Sequence, residues 1–108
     1  VNSLRAVSDS DFEQVVAEAR RPVLVDFWAE WCGPCRGMGP ILEALAAAHA
    51  EKIDVVKVNL DEAPLAAARY DVSSIPALLL FDAGSVVETL IGAKPRGMIE
   101  KALQAYLA

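Results

Sequence analysis

The chain has 108 residues, of which 55% are hydrophobic and 23% charged. That is enough for one domain with a real core, and too apolar for a disordered or collagen-like chain. Lys+Arg 10 against Asp+Glu 15 leaves a net charge of -5, which sets nucleic acid and anionic membrane aside as partners. The two cysteines, Cys32 and Cys35, are too few for a disulfide-dense secreted scaffold. No apolar run reaches the length of a membrane span. No basic-then-apolar leader opens the chain, and Val1-Asn2-Ser3 reads like the start of a mature protein.

Leu4 to Val7 is a short strand candidate. Ser8-Asp9-Ser10-Asp11 supplies capping residues for a helix on which Phe12, Val15, Val16 and Ala19 recur at helical spacing. Arg20-Arg21-Pro22 ends it, because the residue before a proline avoids the helical region. Val23 to Trp28 is a strand with apolar residues in both phases, the pattern of a central strand covered on both faces. After Ala29-Glu30-Trp31-Cys32-Gly33-Pro34-Cys35, a helical face of Met38, Ile41, Leu42 and Leu45 follows. Pro40 is expected to kink this helix, and Gly37 and Gly39 to loosen its first turns. Ile53 to Asn59 is a third strand, Leu65 to Tyr70 a short helix, and Ala77 to Phe81 a fourth strand. Asp82-Ala83-Gly84-Ser85 turns the chain directly into Val86 to Ile91, so these two strands form an antiparallel hairpin. Met98, Ile99, Ala102, Leu103 and Tyr106 line a last helix. The order β-α-β-α-β-α-β-β-α predicts a single α/β domain over residues 1–108, with a central mixed five-stranded sheet flanked by four helices.

The chemistry concentrates where the second strand runs into Trp31-Cys32-Gly33-Pro34-Cys35-Arg36. Open α/β sheets carry their sites at the carboxyl ends of strands. Cys32 falls at a helix N-terminus, where free N–H groups and the positive end of the dipole favour a thiolate. Cys35 returns to the same side one turn on and deeper. Cys32 is therefore the exposed attacking sulfur and Cys35 the resolving one. Three other uses compete with catalytic exchange. A structural disulfide closing so short a loop would restrict the unfolded chain little. Zinc wants four ligands, and the only other soft ligand, His49, lies at the far end of the helix. Inert core thiols fit poorly with Gly33-Pro34, which is turn sequence.

The segment Trp28-Ala29-Glu30-Trp31-Cys32-Gly33-Pro34-Cys35 closely resembles the active-site segment of the thioredoxin family. So do Asp26 in Val25-Asp26-Phe27-Trp28, Pro40, Lys57-Val58-Asn59 with Asp61, Ile75-Pro76, and Gly92-Ala93. The resemblance covers nearly the whole chain. It implies a thioredoxin fold and protein disulfide reduction with no cofactor beyond a redox-active Cys32–Cys35 disulfide. Electrons would come from a thioredoxin reductase and pass to targets such as ribonucleotide reductase, methionine sulfoxide reductase and peroxiredoxin. A cytoplasmic monomer is implied. The family's oxidising and isomerising members usually carry another dipeptide between the cysteines.

Asp26 is a carboxylate inside a central strand, which is costly unless paired or neutral. Alternation puts it on one face with Leu24 and Trp28, and Lys57 interrupts the third strand in the same way. Burial raises such an acid toward the operating pH. By resemblance, Asp26 assists proton transfer at Cys35, and Lys57 tunes Asp26. Pro76, taken alone, would be trans; the resemblance implies a cis bond, with the backbone of Ile75 facing the disulfide and binding an extended target segment. Trp31, Gly33, Pro34, Ile75, Pro76, Gly92 and Ala93 form the implied contact surface, bordered by Leu60, Ser74 and Ile91. The chain departs from the family at Ala77, where threonine is usual, and at Arg36-Gly37-Met38-Gly39, where bulkier residues follow the second cysteine. Two other roles stay open: an oxidase or isomerase outside the cytosol, and a structural subunit that docks through the sheet loops.

Overall fold

The structure, a computed structural model, describes residues 4–108; the start at Val1-Asn2-Ser3 lies outside the described residues. Along the chain run β1 (Arg5–Ala6), α1 (Phe12–Glu18), β2 (Val23–Trp28), α2 (Gly33–Ala48), β3 (Asp54–Asn59) and α3 (Pro64–Arg69). β4 (Ala77–Asp82), β5 (Ser85–Ile91), α4 (Arg96–Ala102) and α5 (Gln104–Leu107) follow. The five strands form one sheet in the order β1-β3-β2-β4-β5. β2 pairs parallel with β3 and antiparallel with β4, which turns back into β5. The parallel pair is joined through α2, since parallel neighbours need a long crossover. The hairpin turn places Ala83 at φ 52° and Gly84 at φ 84°, the two positive values that a tight primed turn requires.

Strand alternation sorts the core into two layers. Val23, Val25 and Phe27 of β2 meet Phe12 and Val16 of α1 and Ala66 and Ala67 of α3. Phe81 meets both Phe12 and Tyr70 edge to face there, with Tyr70 and Phe81 centroids 4.9 Å apart. On the opposite face Leu24, Leu78 and Leu80 meet Met38, Leu42 and Leu45 of α2, together with Ile99 and Leu103. β2 is thus buried on both sides, as its unbroken apolar run implies.

Several local expectations are corrected. The last helix is two segments, giving five helices rather than four. Leu103, wholly buried, sits at the break with φ -99° and ψ 8°. Tyr106 N–H bonds Leu103 O at 2.8 Å, a tightened three-residue turn. Met98 points away from the core and is 56% exposed.

The capping acids also act elsewhere than expected. Asp11, at the start of α1, makes no side-chain cap; its Oδ1 instead accepts from the Ser8 N–H at 2.8 Å. Asp9 reaches across to α3 and accepts from Leu65 N–H at 3.0 Å and Ala66 N–H at 2.8 Å. These are free donors of the first turn of a helix that begins with Pro64. Asp9→Ala should therefore cost about 1 kcal/mol of stability, with Asp9→Asn recovering most of it. Urea unfolding checks this; an unchanged midpoint for the alanine variant would remove the capping role.

Candidate active site

β2 ends at Trp28, and the chain turns through Ala29 into α2 with Cys32 as its N-cap residue. Cys32 and Cys35 are joined in a disulfide with their Cα atoms 5.3 Å apart. Cys35 N–H donates to Cys32 Sγ at 3.3 Å, so the sulfur at position 32 occupies the acceptor place of a helix cap. Pro34, in the first turn, has no N–H to compete for it. The expected contrast in accessibility is small: Cys32 is 6% and Cys35 3% exposed. The two differ instead by position, one at the cap and one inside the first turn.

Around the disulfide, the structure brings together most of the residues that the sequence singles out. Ile75 and Trp28 pack against Ala29, Cys32 and Cys35. The Ile75–Pro76 peptide bond is cis. Gly92, at φ +91°, donates its N–H to Pro76 O at 2.8 Å, which ties the loop after β5 to the loop before β4. Gly33 and Pro34 are exposed. A Cβ on Gly33 would meet nothing within 4 Å, so any close approach that this glycine permits is to a partner, not to the chain itself. Ala93 is exposed as well. Ala77 is fully buried in the core on the α1 side.

Trp31 is 67% exposed, so it is no core residue. Its indole N–H donates to Asp61 Oδ2 at 2.9 Å. Asp61 N–H is in turn fixed by Asn59 Oδ1 at 2.9 Å, and Leu60 N–H bonds Trp28 O at 2.8 Å. Asp61 is thus the residue that orients Trp31. Sequence reading gave it no such role, since an indole–carboxylate bond across 30 residues leaves no local signal.

Asp26 and Lys57 stand in register on the neighbouring strands β2 and β3. Both fall on the α2 face by alternation, with Leu24 and Val55. Asp26 is 2% exposed, and its Oδ1 has no hydrogen-bond partner among the described residues. Burial pushes its carboxyl up from 3.8 to about 7, against the opposing pull of the Lys57 ammonium. An acid in that range can both give and take a proton near neutrality. Lys57 Nζ also lies 5.9 Å from the centre of the Trp28 ring.

His49 is the C-cap residue of α2, at the other end from Cys32, about 25 Å away at helical rise. Its Nε2 pairs with Glu100 Oε2 at 2.7 Å. Among the described residues no group of three or more His, Cys, Asp or Glu side chains is placed to hold a metal ion. A concavity of about 530 Å³ lies by Val15, Val23 and Asp54 at the starts of β2 and β3, away from the cysteines. No helix among the described residues is long and apolar enough to cross a membrane.

Comparison with known proteins agrees with this geometry. The family model "Thioredoxin" matches residues 3–105. The chain is 45% identical to "Thioredoxin" of Porphyra purpurea over 106 residues, covering 98% of this chain and 99% of that protein. It is 50% identical to "Thioredoxin" of Streptomyces clavuligerus, covering 89% of each. It is 45% identical to "Thioredoxin M-type, chloroplastic" of Chlamydomonas reinhardtii, covering 94% of this chain and 73% of that protein. With this breadth of match and a joined cysteine pair at the head of α2, the chain belongs to the thioredoxin family and is a thiol–disulfide oxidoreductase.

Proposed function

We propose that this single domain, residues 1–108, is a general protein disulfide reductase that carries electrons from a thioredoxin reductase to target proteins. The observation that carries the reading is the disulfide itself, set at a helix cap with Cys35 N–H on Cys32 Sγ. In the reduced protein the Cys32 thiolate attacks a target disulfide, and one target sulfur leaves as a thiolate. Cys35 then attacks Cys32 Sγ, the second target sulfur leaves, and the Cys32–Cys35 bond forms. Two electrons have passed to the target, and each displacement uses a thiolate as nucleophile and as leaving group.

Asp26 takes the proton from Cys35 as that sulfur attacks and returns it when the pair is reduced again. Lys57 keeps the acid from rising further. Trp31, Gly33, Pro34, Ile75, Pro76, Gly92 and Ala93 form the surface that meets the target, with the Ile75 backbone bonding an extended segment. The protein works as a cytoplasmic monomer without a bound cofactor. Its targets include ribonucleotide reductase, methionine sulfoxide reductase and peroxiredoxin.

A redox titration of the Cys32–Cys35 pair against dithiothreitol, joined to insulin reduction driven by NADPH and a thioredoxin reductase, tests this. The expected midpoint is more reducing than the glutathione couple, with insulin reduced catalytically. A midpoint at or above glutathione would make the protein an oxidant or isomerase, and a pair that no dithiol opens would end the redox reading.

A further inference from the structure

The loop between β5 and α4 carries an ammonium group folded back on its own backbone. Lys94 Nζ donates to the Ile91 carbonyl at 2.9 Å and stands 3.9 Å from where a Cβ on Gly92 would lie. The side chain is half-buried there rather than extended into solvent. Gly92 is bonded to Pro76 O, and Ile75 packs on the cysteine pair. The charge of Lys94 is therefore held beside the rim that faces the disulfide.

Two features make this charge available to a partner. Among the described residues no carboxylate lies within salt-bridge distance of Lys94, whereas Arg96, two residues on, is engaged by Glu100 at 3.1 Å. An ammonium has three donors, and the Ile91 carbonyl takes one. Of the acids that flank the site, Glu30 immediately precedes Trp31, and Asp61 and Glu62 precede α3, which packs on the other face of the sheet from α4. The rim thus carries the Lys94 ammonium on the side that leads into α4, and the Asp61 carboxylate, bonded to Trp31, on the side that leads into α3.

We propose that Lys94 is a specificity-determining residue that favours target cystines presenting a carboxylate to the Gly92–Ala93 rim. The proposal rests on the contact surface described under the proposed function. A target segment laid along the Ile75 backbone and flanking Gly92 would bring one side chain near Lys94 Nζ. A carboxylate there gains a charge-assisted bond, and a second ammonium is repelled.

The test uses the full chain and a set of cystine peptides that carry one Asp or one Lys, either two residues before or two residues after the attacked cysteine. At low ionic strength, Asp should exceed Lys in kcat/KM by about two- to fivefold at one of these positions, and the ratio should shrink as salt is added. Lys94→Met should abolish the preference, Lys94→Glu should reverse it, and Lys94→Arg should retain it. A merely structural role for the Lys94–Ile91 bond would slow all peptides together and leave their ratio intact. A ratio unchanged in both Lys94→Met and Lys94→Glu, or a wild-type protein with no preference at either position, overturns the proposal. A wild-type protein that reduces none of the peptides overturns the reductase reading, and this proposal with it.

Discussion

Replacing Asp26 with alanine is expected to stabilise the protein in alkaline solution. The carboxyl is buried, its Oδ1 lacks a hydrogen-bond partner among the described residues, and burial raises it from 3.8 to about 7. Between those two values the folded state holds a proton that the unfolded chain has released. Stability therefore falls as pH rises through that window and levels off above it. A displacement of this size corresponds to about 4 kcal/mol at full ionisation. Truncation to alanine removes that penalty and leaves a small cavity costing about 1–2 kcal/mol. The net gain is expected to be about 2–3 kcal/mol near pH 9, and to vanish or turn slightly negative near pH 4. Urea unfolding of both proteins at the two pH values measures it. An equal difference at both would mean that the buried charge is not the cause. The same substitution should cost activity, flattening the inflection near neutrality in the rate of insulin reduction; superimposable pH profiles would remove Asp26 from proton transfer.

Cys32→Ser is expected to abolish disulfide reduction, by at least about a thousandfold, because it removes the nucleophile of the first displacement. Cys35→Ser should instead leave a stable mixed disulfide with the target. The two sulfurs are almost equally covered when joined, at 6% and 3% exposure, so accessibility does not separate them. The Cys35 amide does. It points at Cys32 Sγ from inside the first helical turn, and a thiolate at position 32 keeps that donor together with the positive end of α2. Cys35 lies past the cap, and its reach is limited to its neighbour. Mass spectrometry of target adducts decides the matter: the adduct belongs on Cys32 in the Cys35→Ser protein, and an adduct formed on Cys35 in the Cys32→Ser protein at a comparable rate would reverse the two roles.

What was legible in the sequence followed from local periodicity. The apolar residues of Val23–Trp28 occupy both phases, and the strand is indeed covered on both faces. The period of two that places Asp26 with Leu24 also places Lys57 with Val55, and register brings the acid and the lysine side by side. The strand-to-helix setting of Cys32 and Cys35 is likewise a property of adjacent residues. The cis bond at Pro76 was not readable this way, since local chemistry favours trans; only the family resemblance implied it. Contacts between distant segments were invisible. Asp9 caps a helix that begins more than fifty residues later, and Asp61 holds an indole thirty residues before it. The break at Leu103 coincides with a fully buried side chain and a tighter turn, and an unbroken helical pattern of apolar residues carries no trace of that.

The bond from Gly92 to Pro76 has a consequence for how a partner is met. It stitches two connecting segments into one plate anchored on the ends of β4 and β5, so little conformational freedom is left there to be lost when a protein docks. If this is the surface proposed above to meet the target, it can bind briefly and still productively, because the ordering that a mobile loop would require has already been completed during folding. Rapid release suits a carrier that must visit a donor and an acceptor in turn.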